Sequence, residues 1–295
     1  MTQVAIVTGG ASGIGLALGA ALVKRGWHVV LDDIQDIKAK DEAERLTGAG
    51  PGSAVAAGVD VRDVDGVVGL VQDTHAEHGH LDMMVNNAGV FIVGEPDELL
   101  PAHWDTVIDT NLRGVIHGCH AAYPLMKQQR SGVILNVASA AGLAPMWGRH
   151  APYSMTKHGV VGLSLSLRAA AADYGVQVSV LCPGVIDTPI YDGGWPEGLP
   201  IPASDVGAPT EREMLTREGI TFYPADRLAE DTLRGIAKNK AILAIPGDAR
   251  GLWLWARLSP SLVIRQMTKY TRGRRDDLRH LRADEASWQE ASTAQ

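Results

Sequence analysis

Tyr153 and Lys157 are the residues of this sequence whose types and spacing first suggest chemistry. Residues four apart lie one turn from each other on the same face of a helix, so the pair would bring an ammonium group close to a phenol. A nearby positive charge favours the phenolate and lowers the pKa of a tyrosine toward neutrality. Such a tyrosine could exchange a proton with a substrate oxygen at physiological pH. The same spacing is also typical of an exposed pair without function, so other residues must distinguish the two interpretations.

A glycine-rich turn, residues 8–15, lies between the first apolar segment and a helical segment that begins near Leu16. Glycines allow a backbone to turn sharply and to approach a pyrophosphate, and a helix N-terminus presents free N–H groups at the positive end of its dipole. The glycine spacing differs from that of the commonest dinucleotide fingerprint. Its position directly after a strand nevertheless favours a phosphate-binding turn over an ordinary loop.

Two adjacent aspartates, Asp32 and Asp33, follow the second strand-like segment at residues 28–31. An acidic residue about 20 positions after such glycines can accept hydrogen bonds from the adenosine ribose and repel a 2'-phosphate. We expect Asp33 to have this role, which predicts NAD rather than NADP as the cofactor. The alternative is that one or both aspartates cap the following helix.

Further polar or small residues follow the strand-like segments 54–59, 82–85, 133–137 and 176–181. They are Asp60 with Val61, the turn at 86–89, Ser139, and the loop at 183–188. Strands that alternate with helices indicate a parallel sheet with right-handed connections, so these loops should meet at one sheet edge. Asn111 lies inside a helix predicted at 104–126, where an asparagine is unfavourable unless another group uses it. Ordinary loops and an exposed asparagine are the alternatives.

Composition and charge exclude several classes of function. Of 295 residues, 45% are apolar and 21% are charged, as in an ordinary soluble globular protein with a large core. A net charge of -7 gives no indication of a nucleic-acid partner. We expect no signal peptide and no membrane-spanning segment. Cys119 and Cys182 are far apart in the sequence, which predicts neither a disulfide framework nor a metal site and fits a reducing, cytoplasmic location.

The chain is predicted to contain one domain over residues 1–246 and a helical extension over 247–295. Residues 190–224 are rich in proline and glycine and leave the ligand edge of the sheet, which is typical of a substrate lid. Every charged residue from Arg250 to Arg275 is basic. The favoured interpretation of 251–272 is an amphipathic arm that packs on its own subunit or on a partner, and attachment to a membrane surface is the alternative. From Asp276 the chain is polar, and we expect it to be frayed.

Together these motifs resemble the short-chain dehydrogenase/reductase family over residues 3 to about 246. The resemblance rests on motifs in a common order, namely the turn at 8–15, Asp60, the turn at 86–89, Asn111, Ser139, Tyr153 with Lys157, and the loop at 183–188. It implies an α/β protein with a three-layer Rossmann fold, whose doubly wound parallel sheet has seven strands in the order 3-2-1-4-5-6-7. The family commonly forms homodimers or homotetramers, here through the helices predicted at 104–126 and 152–174.

The resemblance also implies a catalytic tetrad of Asn111, Ser139, Tyr153 and Lys157. Tyr153 would be the general base in alcohol oxidation and the acid in ketone reduction, and Ser139 would hydrogen-bond the substrate oxygen. Lys157 would bind the nicotinamide ribose and, with the oxidised nicotinamide, lower the pKa of Tyr153. Asn111 would hold a water that connects Lys157 to solvent. A complete tetrad argues against a non-catalytic nucleotide-sensing scaffold.

The implied NAD-binding residues lie at the strand ends. Asp60 and Val61 would lie near the adenine, and Ile186 and Thr188 would contact the carboxamide. The full set is Gly9, Ser12, Gly13, Ile14, Gly15, Asp33, Asp60, Val61, Asn87, Ala88, Gly89, Tyr153, Lys157, Pro183, Gly184, Ile186 and Thr188. The turn has Gly10 where alanine is the more usual residue, a small departure, and it carries no arginine or lysine for a 2'-phosphate. An NADP-dependent carbonyl reductase is the main alternative.

The expected substrate pocket lies beside the catalytic residues. Its walls would be Ser139, Leu143, Met146, Trp147, Tyr153, Ile190, Tyr191 and Trp195, with Phe91 nearby. Most of these side chains are apolar, and Arg149 is the one candidate for pairing with a carboxylate. We therefore expect a neutral, hydrophobic secondary alcohol or ketone, or a lipid or sterol if the chain attaches to a membrane surface.

Overall fold

A parallel sheet is the centre of the fold in the computed structural model, which describes residues 2–193 and 195–293, with the backbone alone over 278–293. The strands are β1 (Val4–Thr8), β2 (His28–Asp32), β3 (Ser53–Ala57), β4 (Met83–Asn86), β5 (Gly132–Val137), β6 (Val176–Pro183), β7 (Ile186–Asp187), β8 (Tyr223–Pro224) and β9 (Ile242–Ile245). The main sheet has 7 strands in the order β3-β2-β1-β4-β5-β6-β9. The predicted strand order is therefore confirmed, with β9 as the seventh strand.

Helices cover both faces of this sheet. They are α1 (Gly13–Val23), α2 (Asp36–Thr47), α3 (Val64–His78), α4 (Pro101–Ile108), α5 (Gly114–Gln129), α6 (Ala151–Ala171), α7 (Glu211–Arg217), α8 (Ala225–Ala237), α9 (Gly247–Leu258) and α10 (Pro260–Thr293). Along β1, Val4 and Ile6 pack with α3, α5 and α6, whereas Ala5 and Val7 pack with α1, α2 and α8. Successive side chains of a strand point to opposite faces, so both faces are buried and the strands are apolar throughout. The expected three-layer, doubly wound α/β fold is confirmed.

A buried chain of hydrogen bonds connects β4, β5 and α6. The Asn86 amide donates to the Asn136 side-chain oxygen at 2.8 Å, and the Asn136 amide donates to the Ser164 hydroxyl at 2.9 Å. All three side chains are at most 2% exposed. Buried polar groups that bond one another fix the relative positions of the elements that carry them. Two strands that end at the predicted site are thereby held against α6.

Two segments differ from the sequence prediction. The helix expected at 104–126 is divided into α4, a π-helical turn over Asp109–Arg113, and α5. The helix expected after Asp33 is α2, in which most residues are charged and only a narrow edge is buried. The segment 190–224 contains α7, which begins with a capping box of Thr210 and Glu213. Parallel pairing of Ile186 with Tyr223 in β7 and β8 closes the base of this segment.

The extension after residue 246 is helical and packs on the domain. Ala144 shares a buried apolar cluster with Ala256 of α9 and Val263 of α10. The expectation of a frayed tail from residue 276 is wrong for the backbone, which is helical to Thr293, because helix-forming arginine, leucine, alanine and glutamate are frequent there. The side chains from 278 onward lie outside the described part. Among the described residues, no helix combines the length and the apolar character needed to cross a bilayer.

Gly118→Ala should destabilise the fold, because Gly118 of α5 packs directly against the hydrogen-bonded Asn86. A Cβ atom at Gly118 would overlap the Asn86 side-chain oxygen and lie 2.9 Å from Cε of Met84. We expect the free energy of unfolding to fall by about 1–3 kcal/mol, as in other overpacked cores. Urea denaturation measures this difference.

Gly162→Ala is the matched control for that experiment. Gly162 is an exposed glycine of α6, with no neighbouring atom within 4 Å of its Cβ position. Alanine at Gly162 should raise the free energy of unfolding by about 0.5–1 kcal/mol. Equal stability of the two variants would contradict the packing described for α5.

Candidate active site

The glycine-rich turn between β1 and α1 is packed against the turn that follows β4. Gly9 has a φ angle of 63°, in the left-handed region that favours glycine. A Cβ atom at Gly9 would lie 2.9 Å from Cα of Ala88, and one at Gly15 would overlap the Gly9 carbonyl oxygen. The Thr8 hydroxyl accepts the N–H groups of Asn87 at 3.0 Å and Ala88 at 3.1 Å. Two motifs that are far apart in the sequence therefore meet.

The N-terminus of α1 has the groups that a phosphate needs. Gly13 begins the helix with a φ angle of 54°, and its Cβ position is 3.2 Å from Cβ of Thr188. Ser12 makes no side-chain cap, so the first N–H groups of α1, at the positive end of its dipole, remain available to an anion. The small cradle and these donors fit the pyrophosphate of a dinucleotide, with Thr188 on the opposite wall.

Asp33 and Asp32 have different environments at the end of β2. The Asp33 carboxylate accepts the N–H groups of Ala11 at 3.1 Å and Gln35 at 3.0 Å, which holds it beside the glycine-rich turn. Asp32 is fully buried, and burial raises its pKa to about 7. Neither aspartate is the N-cap of α2, because that position is Gln35. The geometry therefore favours Asp33 as the residue that meets a ribose.

Asp60 and Val61 follow β3 at the same sheet edge. The Arg62 guanidinium donates to the Asp60 carboxylate, with its Nη2 at 2.6 Å, and this partner lowers the pKa of Asp60. The sequence pattern does not predict this ion pair. The side chain of Val61 is buried against Gly114 of α5. A ligand near Val61 could therefore contact the backbone of Val61 but not its side chain.

Tyr153 and Lys157 lie near each other on α6, as their spacing predicts. The Lys157 Nζ is 5.5 Å from the centre of the Tyr153 ring and donates to the carbonyl oxygen of Val137 at 3.0 Å. Burial lowers the pKa of Lys157 to about 8. Burial also raises the pKa of Tyr153 to about 12, and a hydrogen bond with the Ser139 side chain opposes that rise. In the chain without a cofactor the pKa of Tyr153 is therefore raised and not lowered as expected, because burial of the phenol outweighs the effect of Ser139.

Ser139 and Asn111 are placed by irregular backbone. Ser139 precedes a short 3-10 turn, and its Oγ accepts the N–H of Ala141 at 3.1 Å. Asn111 is fully buried in the π-helical turn between α4 and α5, a structure often found at functional sites. Its amide donates to the Val90 carbonyl and its oxygen accepts the Val90 N–H, both at 2.8 Å. The asparagine thus holds the chain just beyond the turn at 86–89.

The loop at 183–188 is held by a residue that the sequence pattern does not identify. Arg212 of α7 donates to the Asp187 carboxylate and to the Thr188 carbonyl, both at 2.8 Å, and pairs with Asp192. Its role depends on the fold of the segment 190–224, which periodicity does not predict. Ile186 is buried among the residues that pack with α1 and α8, so its backbone is the part that a cofactor could contact. The N–H of Gly184 donates to Ile245 of β9 at 2.8 Å.

A cavity of about 210 Å³ lies against the segment 190–224, which supplies much of its wall. It is lined by five residues that the sequence predicts in or near the pocket, which are Phe91, Trp147, Ile190, Tyr191 and Trp195. Ser139 and Tyr153 are not among its walls, but the Phe91 ring lies 4.9 Å from the Tyr153 ring. Leu143 and Met146 do not line the cavity either, and Leu143 instead packs against the core beneath α6. Contact of these two residues with a substrate stays a prediction.

Charged residues form part of the cavity wall. Arg149, the predicted cation, is 5% exposed and pairs with Asp205, so it is already committed to a carboxylate. Glu211 of α7 and Arg274 of α10 also line the cavity, and the motif pattern identifies neither. Among the residues that the structure describes, no group of three or more His, Cys, Asp or Glu side chains is arranged to hold a metal ion.

Comparisons with known proteins agree with this architecture. The family model described as short chain dehydrogenase matches residues 3–195. The 3-oxoacyl-(acyl-carrier-protein) reductase FabG of Staphylococcus aureus is 32% identical over 243 residues, which are 82% of this chain and 93% of that protein. The probable oxidoreductase EphD of Mycobacterium tuberculosis is 32% identical over 262 residues, or 86% of this chain, but the match spans only 43% of EphD.

A solved structure extends the match to three dimensions. The short-chain dehydrogenase/reductase of Burkholderia phymatum, in complex with NAD, is 28% identical with a TM-score of 0.76, over 84% of this chain and 92% of that chain. This structural match and the family match agree with the motif order and the strand order. This chain is therefore a member of the short-chain dehydrogenase/reductase family.

Proposed function

We propose that this chain is an NAD-dependent oxidoreductase that interconverts a secondary alcohol and a ketone. The observation that supports this best is the position of Ser139, Tyr153 and Lys157 at the sheet edge that also carries the glycine-rich turn. The Ser139 side chain acts to lower the pKa of Tyr153, and the Lys157 ammonium lies 5.5 Å from the Tyr153 ring centre. This arrangement is suited to moving a proton to or from a substrate oxygen.

Tyr153 donates the proton in ketone reduction and accepts it in alcohol oxidation. Its raised pKa, about 12, keeps the hydroxyl protonated at neutral pH, as the reduction requires. Ser139 stabilises the charge that develops on the substrate oxygen. Lys157, with a pKa of about 8, is mostly protonated at neutral pH and favours the phenolate that the oxidation requires. A bound nicotinamide supplies or accepts the hydride.

Asn111 and Asp33 complete the proposed machinery at two ends of the site. Asn111 is fixed by its two hydrogen bonds with Val90, and we assign it the water that connects Lys157 to solvent. Asp33 supports NAD rather than NADP, because a 2'-phosphate would bring a second negative charge beside its carboxylate. The turn at 8–15 carries no arginine or lysine that could compensate for this repulsion.

The cavity supports a neutral, hydrophobic substrate. Aromatic rings form much of its wall, and its two arginines are paired with carboxylates. A ketone also fits the name of the relative FabG, a 3-oxoacyl reductase. As in other members of the family, we propose a homodimer or homotetramer through α4, α5 and α6. The buried free thiols of Cys119 and Cys182 fit a reducing compartment such as the cytoplasm.

A second candidate function is supported by the outer face of α9 and α10. Leu254, Trp255 and Leu258 are 46%, 60% and 82% exposed, and Leu262 and Ile264 continue the apolar face. The charged residues between 250 and 275 are all basic. A helix with exposed tryptophan and leucine among basic residues is typical of attachment to an anionic membrane surface. In that case the substrate would be a lipid or a sterol.

Tyr153→Phe should abolish most of the activity without loss of NADH binding. Removal of the proton-transfer group should lower kcat by about 10²–10⁴-fold, measured by NADH absorbance with a panel of secondary alcohols and ketones. Tyr174→Phe, which removes a hydroxyl just beyond the other end of α6, should leave kcat unchanged. Turnover of Tyr153→Phe equal to that of the unmodified chain would disprove the proposed mechanism.

Asp33→Asn should weaken the preference for NAD over NADP. The substitution removes the negative charge and keeps the shape of the side chain, so the ratio of kcat/KM for NAD to that for NADP should fall by about tenfold or more, or about 1.4 kcal/mol. Asp36→Asn, which neutralises an exposed aspartate in the first turn of α2, is the control and should not change the ratio. A preference of the unmodified chain for NADP would instead identify an NADP-dependent carbonyl reductase.

Attachment to a membrane should depend on the exposed apolar face of α9. We expect the unmodified chain to float with vesicles that contain anionic lipid, and the double variant Trp255→Ser, Leu258→Ser to remain in the dense fraction. Ile37→Ser is the control, because Ile37 is 73% exposed on α2. Point substitutions are preferable to truncation, because deletion of α9 and α10 would also remove a wall of the substrate cavity. If the unmodified chain does not float, attachment is excluded.

A further inference from the structure

The C-terminal helix α10 brings a buried arginine to the substrate cavity. Arg274 lines the cavity, and it is 2% exposed. It lies far beyond residues 3–195, the part of the chain that the family model matches. This contribution to the cavity therefore comes from the chain's own extension and not from the shared motifs.

The guanidinium of Arg274 is held in one orientation. Its Nη1 donates to both carboxylate oxygens of Glu211 at 3.0 Å, and its Nε donates to Glu218 at 2.5 Å. Its Cζ lies 4.5 Å from the centre of the Trp147 ring. The Tyr270 hydroxyl, also on α10, donates to the other oxygen of Glu218 at 2.6 Å. A planar group with these contacts on two edges and one face has little freedom to turn.

The third nitrogen of this group has no hydrogen-bond partner among the residues that the structure describes. Nη2 of Arg274 is buried and makes no hydrogen bond with any of the described residues. A guanidinium presents its N–H donors in a fixed fork, so the two occupied nitrogens determine where Nη2 points. A buried donor without an acceptor is unfavourable. An acceptor atom on a ligand in the cavity would relieve that cost.

The surrounding charges favour a neutral acceptor over an anion. Arg274 already faces the carboxylates of Glu211 and Glu218. Arg149, the other cation of the cavity wall, pairs with Asp205 and has Glu95 at 3.9 Å. Together with Arg275, which pairs with Glu95, three arginines thus face four carboxylates. A ligand carboxylate would be repelled by these groups, whereas a carbonyl or hydroxyl oxygen would not.

A row of aromatic rings connects Arg274 to the reacting end of the site. The Phe91 ring lies 4.9 Å from Tyr153 and 5.3 Å from His150, and the His150 ring lies 5.0 Å from Trp147. Phe91 and Trp147 both line the cavity. Tyr153 and Arg274 therefore lie at opposite ends of this row, with an apolar wall between them.

We propose, on the basis of the function proposed above, that Arg274 is a substrate-binding residue. Its Nη2 donates a hydrogen bond to a neutral oxygen, a carbonyl or a hydroxyl, that the substrate carries at a distance from its reacting carbon. Arg274 thereby selects substrates with two oxygen functions, such as diketones and hydroxyketones, over simple ketones of the same length.

Binding to the chain saturated with NAD tests this proposal without turnover, because a ketone cannot be reduced by the oxidised cofactor. Titration calorimetry should be performed with a series of aliphatic methyl ketones, the matching diketones and the matching keto acids. We expect the best diketone to bind about tenfold more tightly than its monoketone, or about 1.4 kcal/mol, and the keto acid to bind no better than the monoketone. If no diketone binds more tightly than its monoketone, the proposal is wrong.

Arg274→Lys separates substrate binding from a merely structural role. Lysine keeps the positive charge between Glu211 and Glu218 but has no second nitrogen to present to the cavity. The diketone preference, expressed as a ratio of two dissociation constants, should disappear, whereas a structural defect would weaken both ligands equally and leave the ratio intact. Arg275→Lys is the control, because Arg275 pairs with Glu95 and does not line the cavity. Persistence of the preference in Arg274→Lys would refute the proposal.

Failure of this inference can be distinguished from failure of the proposed function. Diketone binding that depends on Arg274, without turnover of any ketone with NADH, would retain the inference and reject the oxidoreductase activity proposed for these ligands. Turnover that depends on Tyr153, without a diketone preference, would retain the activity and reject the role of Arg274. If Arg274→Lys does not fold, the comparison of the three ligand series on the unmodified chain decides the question.

Discussion

The hydrogen bonds between Thr8 and the turn after β4 are the interaction on which the rest of the site depends. One hydroxyl accepts two backbone N–H groups, while the Asn87 amide donates to the carbonyl oxygens of Thr8 and Gly9 at 2.9 and 3.1 Å. These bonds hold the glycine-rich turn and the next motif loop in contact, at a distance that only a residue without a side chain at Gly9 allows. The cleft at the sheet edge owes its shape to this contact. Parallel strands bring the loops to one edge, but the hydrogen bonds determine how closely they approach.

Burial is the largest influence on the pKa values of Tyr153 and Lys157. It disfavours the charged form of both partners, so the pKa of Tyr153 rises while that of Lys157 falls. The chain alone thus prepares a protonated phenol beside an ammonium that can lose its proton near pH 8. The Ser139 side chain opposes the effect of burial and favours the phenolate. In our proposal, the balance between oxidation and reduction depends on how far the positive charge of the oxidised nicotinamide lowers the pKa of Tyr153.

Helices α7 and α10, which lie beyond the residues that the family model matches, build the end of the cavity that contains Arg274. Helix α7 contributes Glu211 and Arg212, which face in different directions. Glu211 holds Arg274 of α10, and Arg212 holds the loop that carries Thr188. The predicted lid is therefore tied both to the proposed cofactor side and to the extension. In our proposal, substrate selectivity and the anchoring of α10 are coupled, because Glu211 both orients Arg274 and ties α10 to α7.

The sequence by itself determined the alternation of strands and helices in a parallel sheet and the residue types of the proposed proton-transfer site. These follow from local rules, because apolar strands alternate with helices and glycines mark a turn that side chains would obstruct. The strand order followed from the resemblance to the short-chain dehydrogenase/reductase family. The spacing of Tyr153 and Lys157 likewise places them on one helix face. Only the tertiary structure decided that burial reverses the expected pKa of Tyr153, that Leu143 belongs to the core, and that Arg274 reaches the cavity. Each of these depends on groups far apart in the chain, because burial and ion pairing arise from packing and not from the order of neighbouring residues.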